Sequence, residues 1–292
     1  MINTVYAGGL AAGPFVEVDD GVCISSPELL FVELAPLMGA ATHLMLGYEL
    51  CGTFSRDARD PRDGDATLGV MPVTSVARIR EFVRQSRNLS GLEQARETLK
   101  HMSDNAWSPM EAIMGTVITL PVYAFGYGYG ELRLNERVSV SSGASRVPDL
   151  VFGKTKVGLN YDGSGHLDLD SIEQAVRASI DKPSSWEAAQ EIDRAKHAVR
   201  AKVLDDSLRN RELGSKGYVV FPVTKEDMYR CGAFEQLMRQ VYEAIGHYSN
   251  EDTSRLEHAL TNPKMALARQ QLLWALLPGE SGKAYAWRLA PH

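Results

Sequence analysis

The stretch from Arg146 to His166, RVPDLVFGKTKVGLNYDGSGH, constrains the fold of this chain more than any other. It holds two short apolar runs separated and closed by turn residues, the pattern of paired β-strands. Strand ends hold oxygens a few Å apart with little entropy left to lose, so metal-dependent chemistry commonly places its ligands there. The candidates are Asp149 on the first run and Asn160, Asp162 and His166 around the second. Asn160 is an amide at the place where a second acid is expected.

The rest of the chain supplies helices around these strands. Pro14 to Ser25 reads as extended, and Ser26-Pro27-Glu28 opens a helix through LLFVELAPLMGAATHLMLG, with Ser as cap and Pro in the first turn. YELCGTF (48–54) reads as extended. SRDARDPRDGDATLG after it is charged, rich in Gly and Pro and without apolar periodicity, which predicts an exposed, mobile loop. Amphipathic helices are expected at Thr74 to Arg87 and Gly91 to Met102. Ser108-Pro109-Met110-Glu111 has the residues of a capping box at a helix start. Extended segments follow at Leu132 to Ser141, Arg146 to Phe152 and Lys156 to Tyr161. Then come a long helix from about Ser185 to Leu213, an apolar strand at Gly217 to Val223, a Thr224-capped helix to Ile245 and a last helix near Pro263 to Leu277. The expected architecture is α/β, with a mostly helical N-terminal region (1–105), a domain of helix, three strands, helix and strand (106–250) and a helical tail (251–292).

With 292 residues, 44% of them hydrophobic, the chain can bury a full core. No apolar run reaches the roughly 18 residues of a membrane span and no export signal opens the chain, so the expected location is the cytoplasm, without a membrane partner. Cys23, Cys51 and Cys231 form no CxxC pair and are expected to be reduced and buried. A net charge of -6 does not advertise a nucleic-acid binder, but local charge decides. Arg194, Lys196, Arg200, Lys202, Arg209 and Arg211 make the best basic segment, which also reads as a solvated helix face. Neither a phosphate-binding loop nor a serine-hydrolase or zincin motif is present; the Gly126 to Gly130 run reads as a turn whose Tyr127 or Tyr129 could stack on a base.

The second half resembles the PD-(D/E)xK, restriction-endonuclease-like superfamily, in particular its very-short-patch-repair and DUF559-like branch. The residues that carry the resemblance are Ser108-Pro109-Met110-Glu111, Arg146-Val147-Pro148-Asp149, Asn160-Tyr161-Asp162-Gly163 with His166, Asp206-Ser207-Leu208-Arg209, Leu213, Gly217-Tyr218-Val219-Val220 and Thr224. The first half is similar to the connecting region of AbiEi-type antitoxin proteins.

The resemblance implies a DNA endonuclease that hydrolyses phosphodiesters with Mg²⁺ or Mn²⁺, the ion neutralising the transition state and lowering the pKa of the attacking water. It implies Asp149 as central ligand with Glu111 and Asp162 beside it, and His166 as general base or phosphate-orienting group. Other readings stand beside these: a capping-box role for Glu111, a turn corner for Asp162 and a surface His166. Arg146, Lys156 and Arg209 are the expected contacts to the nucleic-acid backbone, although Arg146 and Arg209 could equally pair with Asp149 and Asp206. Asn160 departs from the family's acid and should weaken metal affinity, and the usual acid-x-Lys is absent, with Asp162 at the Lys position. The alternative reading is therefore a catalytically inactive DNA-binding or regulatory protein of antitoxin type on a nuclease scaffold. A protein partner, docking on the tail helix with Trp274 and Leu277, is a further expectation; oligomeric state is open.

Overall fold

A computed structural model describes residues 8–140, 143, 145–162, 186–250 and 252–291, and these form a mixed α/β structure. A hairpin of β1 (Phe15–Asp19) and β2 (Val22–Ser25) leads into α1 (Pro27–Leu34), capped by Ser26 through its hydroxyl. The single helix expected from Ser26 onward is two. A 3₁₀ turn at Ala35–Leu37 and an extended Gly39 separate α1 from α2 (Ala40–Leu50), because Pro36 cannot continue the helical ladder. Tyr48 to Leu50, expected to be extended, end α2; only β3 (Phe54–Ser55) is a strand, paired with β4 (Thr67–Leu68).

The loop between β3 and β4 is exposed as expected, but it is anchored. Arg62 donates from Nη1 to Ala275 O (2.8 Å) and from Nη2 to Leu277 O (2.7 Å), and Asp63 accepts the Gly279 N–H (2.7 Å). A cation at these carbonyls answers the orphan acceptors and negative pole of a helix C-terminus. The helix is α10 (Pro263–Leu276), preceded by α9 (Ser254–Leu260) and followed by α11 (Glu280–Lys283). Trp274 donates its indole N–H to Tyr229 O, and Leu277 is fully buried, so the tail helix spends these residues inside the protein.

Helices α3 (Val76–Gln85) and α4 (Leu92–Leu99) lie as expected. From α5 (Pro109–Thr119) the chain enters the sheet that positions the candidate site. Its strands are β5 (Leu132–Leu134), β8 (Leu150–Phe152), β9 (Val157–Asp162) and β10 (Val219–Thr224), in the order β10-β9-β8-β5. The first two pairings from β5 are antiparallel; β9 and β10 are parallel, and the crossover between them carries α6 (Trp186–Ser215). The extended segments at 132–141 and 146–152 are broken by Asn135 in the left-handed region (φ 53°) and by Pro148, so β6 (Val138–Ser139) and β7 (Ser145–Arg146) form a separate ladder. Val157 to Asn160 are buried without alternation, as befits a strand covered on both faces. A Cβ at Gly158 would lie 2.5 Å from Leu150 O, so only glycine permits the β8–β9 approach. Pro222 is tolerated because β10 is an edge strand. Thr224 closes a capping box with Asp227 at α7 (Lys225–Tyr229), and Gly232 (φ 80°) separates it from α8 (Ala233–Tyr248).

One core cluster runs through all of this, from Leu29 and Tyr48 through Ile118, Phe152 and Leu159 to Phe234 and Leu273. Of the cysteines Cys51 is buried, whereas Cys23 and Cys231 are exposed, because the β1–β2 hairpin and the α7–α8 turn lie at the surface. Among the described residues no helix is long and apolar enough to cross a membrane.

Arg269 is the largest fully buried side chain. It grips Glu235 through Nη2–Oε1 (2.6 Å) and Nε–Oε2 (3.0 Å), while the Tyr127 hydroxyl donates to the same carboxylate (2.9 Å). Tyr127 and Tyr129 are both buried, the latter with its edge on Phe152, so neither is presented to a base. Removing one partner of a buried pair leaves an uncompensated charge. Arg269→Leu is expected to cost about 3–5 kcal/mol in urea unfolding; a loss below about 1 kcal/mol would show that the pair is solvated.

Candidate functional site

The structure brings Glu111, Asp149, Asn160, Asp162 and Arg209 into one region where the start of α5 meets the ends of β8 and β9. Glu111 stands in the first turn of α5 because Ser108 caps the helix, accepting the Glu111 N–H on its hydroxyl oxygen (3.3 Å). The carboxylate is buried and accepts three hydrogen bonds: from the Ser108 hydroxyl on Oε1 (2.9 Å), and from the Trp107 N–H (2.8 Å) and Asn135 Nδ2 (2.5 Å) on Oε2. Burial pushes its pKa up, against these donors.

Asp149 follows Pro148 at the mouth of β8. Its backbone N–H donates to Asn160 Oδ1 (3.0 Å), and its Oδ2 accepts the Tyr161 N–H (2.6 Å). Burial raises the Asp149 pKa from its ordinary value of 3.8 to about 7, with the charges of Glu111 and Asp162 adding to the shift; the Tyr161 N–H and the Arg209 guanidinium oppose it. Asn160 is 2% exposed, and its Nδ2 has no hydrogen-bond partner among the described residues. An acid here would have put another charge beside Asp149, whereas the amide accepts the same backbone N–H without one.

Arg209 supplies the positive charge. Projecting from α6, its Nη2 lies 3.6 Å from Asp162 Oδ1 and 3.3 Å from Asp206 Oδ1. Arg146 is laid against α6, donating from Nε to Glu212 (2.5 Å) and from Nη1 to Asp205 (3.0 Å). Lys156 donates to Lys216 O (2.8 Å) and lies over the Tyr218 ring. His166 lies outside the described residues.

As arranged, these donors do not fit a divalent ion. Every Glu111 oxygen accepts a hydrogen bond, one Asp149 oxygen is held by a backbone amide, and Asp162 faces a guanidinium. Among the described residues no three His, Cys, Asp or Glu side chains are grouped to hold a metal. A hard cation needs several oxygens free to turn toward it.

Two groups escaped sequence reading. Asn135 holds Glu111 while its own N–H donates to Asp149 O (3.0 Å); asparagine's tolerance of the left-handed region was the available signal. The second is a basic surface on α3, the turn after it and α4, where Arg78, Arg80, Arg84, Arg87 and Arg96 are exposed and the last three line a cleft of about 440 Å³. The spacing RIREFVRQSR showed it, but amphipathicity accounted for those residues first. Comparison with protein-family models, with curated proteins and with solved structures finds no match to this chain.

The raised carboxyl pKa gives a stability prediction. Between about pH 4 and pH 7 the folded protein holds a proton on Asp149 that the unfolded chain has released, so stability falls as pH rises through that window. Asp149→Asn keeps an oxygen for the Tyr161 N–H and removes the charge. Unfolding free energies are expected to lose most of that slope and to exceed wild type at neutral pH; an unchanged slope would contradict the assignment.

Proposed function

We propose that this protein is a DNA-binding, regulatory protein on a restriction-endonuclease-like scaffold, whose acidic site has become an internal polar network and does not cut. The observation that carries the reading is the commitment of both Glu111 oxygens to Ser108, Trp107 and Asn135, in the position that the resemblance gives to a metal-supporting acid. The element order α5, β5, β8, β9, α6, β10, with the first three strands antiparallel and the last parallel to its neighbour, supports the scaffold. Arg209 supports the loss of cleavage, as a guanidinium fixed beside Asp162 brings the positive charge that a metal would otherwise bring.

The DNA contact is assigned to the arginines of α3, the turn after it and α4. Arg84 and Arg96 each pair with a glutamate one turn away, while Arg80 and Arg87 make no side-chain hydrogen bond or ion pair among the described residues. Phosphate contact by such arginines is independent of sequence and sensitive to salt. Arg146, Lys156 and Arg209 are secondary on this reading, being engaged within the protein. One observation favours cleavage instead: burial first, and the Glu111 charge after it, raise the Asp149 pKa, a cost that a bound Mg²⁺ or Mn²⁺ would relieve.

Two assays separate the readings. Plasmid nicking with Mg²⁺ or Mn²⁺ is expected to stay at the level of Glu111→Gln; wild-type nicking that this variant loses would restore the endonuclease. Duplex binding, followed by fluorescence anisotropy, is expected to weaken roughly tenfold or more in Arg80→Glu with Arg87→Glu and to show a shallower salt dependence. Binding unchanged in that variant would remove the α3–α4 surface from the account.

A further inference from the structure

Beside the C-terminal end of α4, two neighbouring cavities of about 480 and 510 Å³ share a wall made by Glu97, His101, Pro121 and Tyr123. Both have the size of pockets that take small organic ligands. The first is largely apolar, with Met38, Leu44, Leu120 and Phe125 among its lining. The second is basic, lined by Lys100, Arg255 and His258 with Glu97 as its acid.

His101 stands between them with its ring nitrogens shut away from both cavities and set against the Thr119 backbone. Its nearest acid, Glu97, is 4.0 Å from Nε2, beyond hydrogen-bond reach. The imidazole therefore closes the wall between the cavities, and the groups open to a ligand are the cations of the second. Lys100 is paired with Glu97, whereas Arg255 is exposed and makes no hydrogen bond or ion pair among the described residues. Burial keeps the His101 imidazole on the neutral side, so it adds no cation to the wall.

We infer that this double cleft binds a small carboxylic acid, its apolar body among Leu44, Leu120 and Phe125 and its carboxylate reaching Arg255. The chemistry is complementary at both ends, an apolar slot opening onto a cationic one. The inference does not rest on the DNA reading.

Calorimetric titration with octanoate, and with 1-octanol as the uncharged match, tests it. Octanoate is expected to bind the wild-type chain. Arg255→Ala, at an exposed position that the fold does not depend on, is expected to weaken octanoate about tenfold and octanol less than about twofold. Ala124→Trp, which fills the apolar part, is expected to abolish binding of both. No octanoate binding at millimolar concentration, equal losses for acid and alcohol in Arg255→Ala, or undiminished binding in a folded Ala124→Trp protein would each overturn it.

Discussion

The attachment of Asp149 to β9 is the constraint from which the site is built. Leu150 pairs with Leu159 in the β8–β9 ladder, and just beyond that pair the side chains take over: Asn160 Oδ1 receives the Asp149 N–H, and the Asp149 carboxylate receives the Tyr161 N–H. These two bonds carry strand pairing past the point where Pro148, with no N–H to give, ends it. They also fix the Asp149 carbonyl, which accepts the Asn135 N–H; Asn135 in turn reaches back to Glu111. The helix start, the first strand's end and the central strand are thereby joined through polar atoms, under a core that Gly158 lets close to backbone contact.

Charge explains the residue choices in that network. Two carboxylates, Glu111 and Asp149, are taken out of water close enough for one to raise the pKa of the other. A third buried acid at 160 would deepen the repulsion, and an amide avoids it. Arg209 offsets part of the excess from the α6 side. With both Glu111 oxygens and one Asp149 oxygen engaged from within, the site is better suited to holding strands and helices in register than to surrendering those oxygens to an ion, while Asn135 Oδ1 and Asn160 Nδ2 have no partner among the described residues.

Elements with strong local signals were legible in the sequence: the Ser108 cap, the long helix before Gly217, the Thr224 cap and the apolar strand between them. Places where a proline or an unusual backbone angle overrides periodicity were not. Pro36 splits a helix that reads as continuous, and Asn135 and Pro148 split strands that read as long. The charged stretch 55–69 lacks periodicity because its order comes from Arg62 finding helix carbonyls more than two hundred residues away, which no local pattern encodes. The grouping of Glu111, Asp149, Asn160 and Asp162 was anticipated, but their bonding was not. Whether a carboxylate is a ligand or a cap depends on which donors surround it, and Asn135 and Trp107 become visible only in three dimensions.

The measurement that bears most directly on the central claim is a pH titration of the Asp149 side-chain carboxyl by ¹³C NMR, with and without millimolar Mg²⁺. An internal network predicts titration near pH 7 in both cases, since Arg209 is already the counter-charge and no ion enters. A midpoint that falls by a unit or more when Mg²⁺ is added would place the ion beside Asp149 and contradict the account.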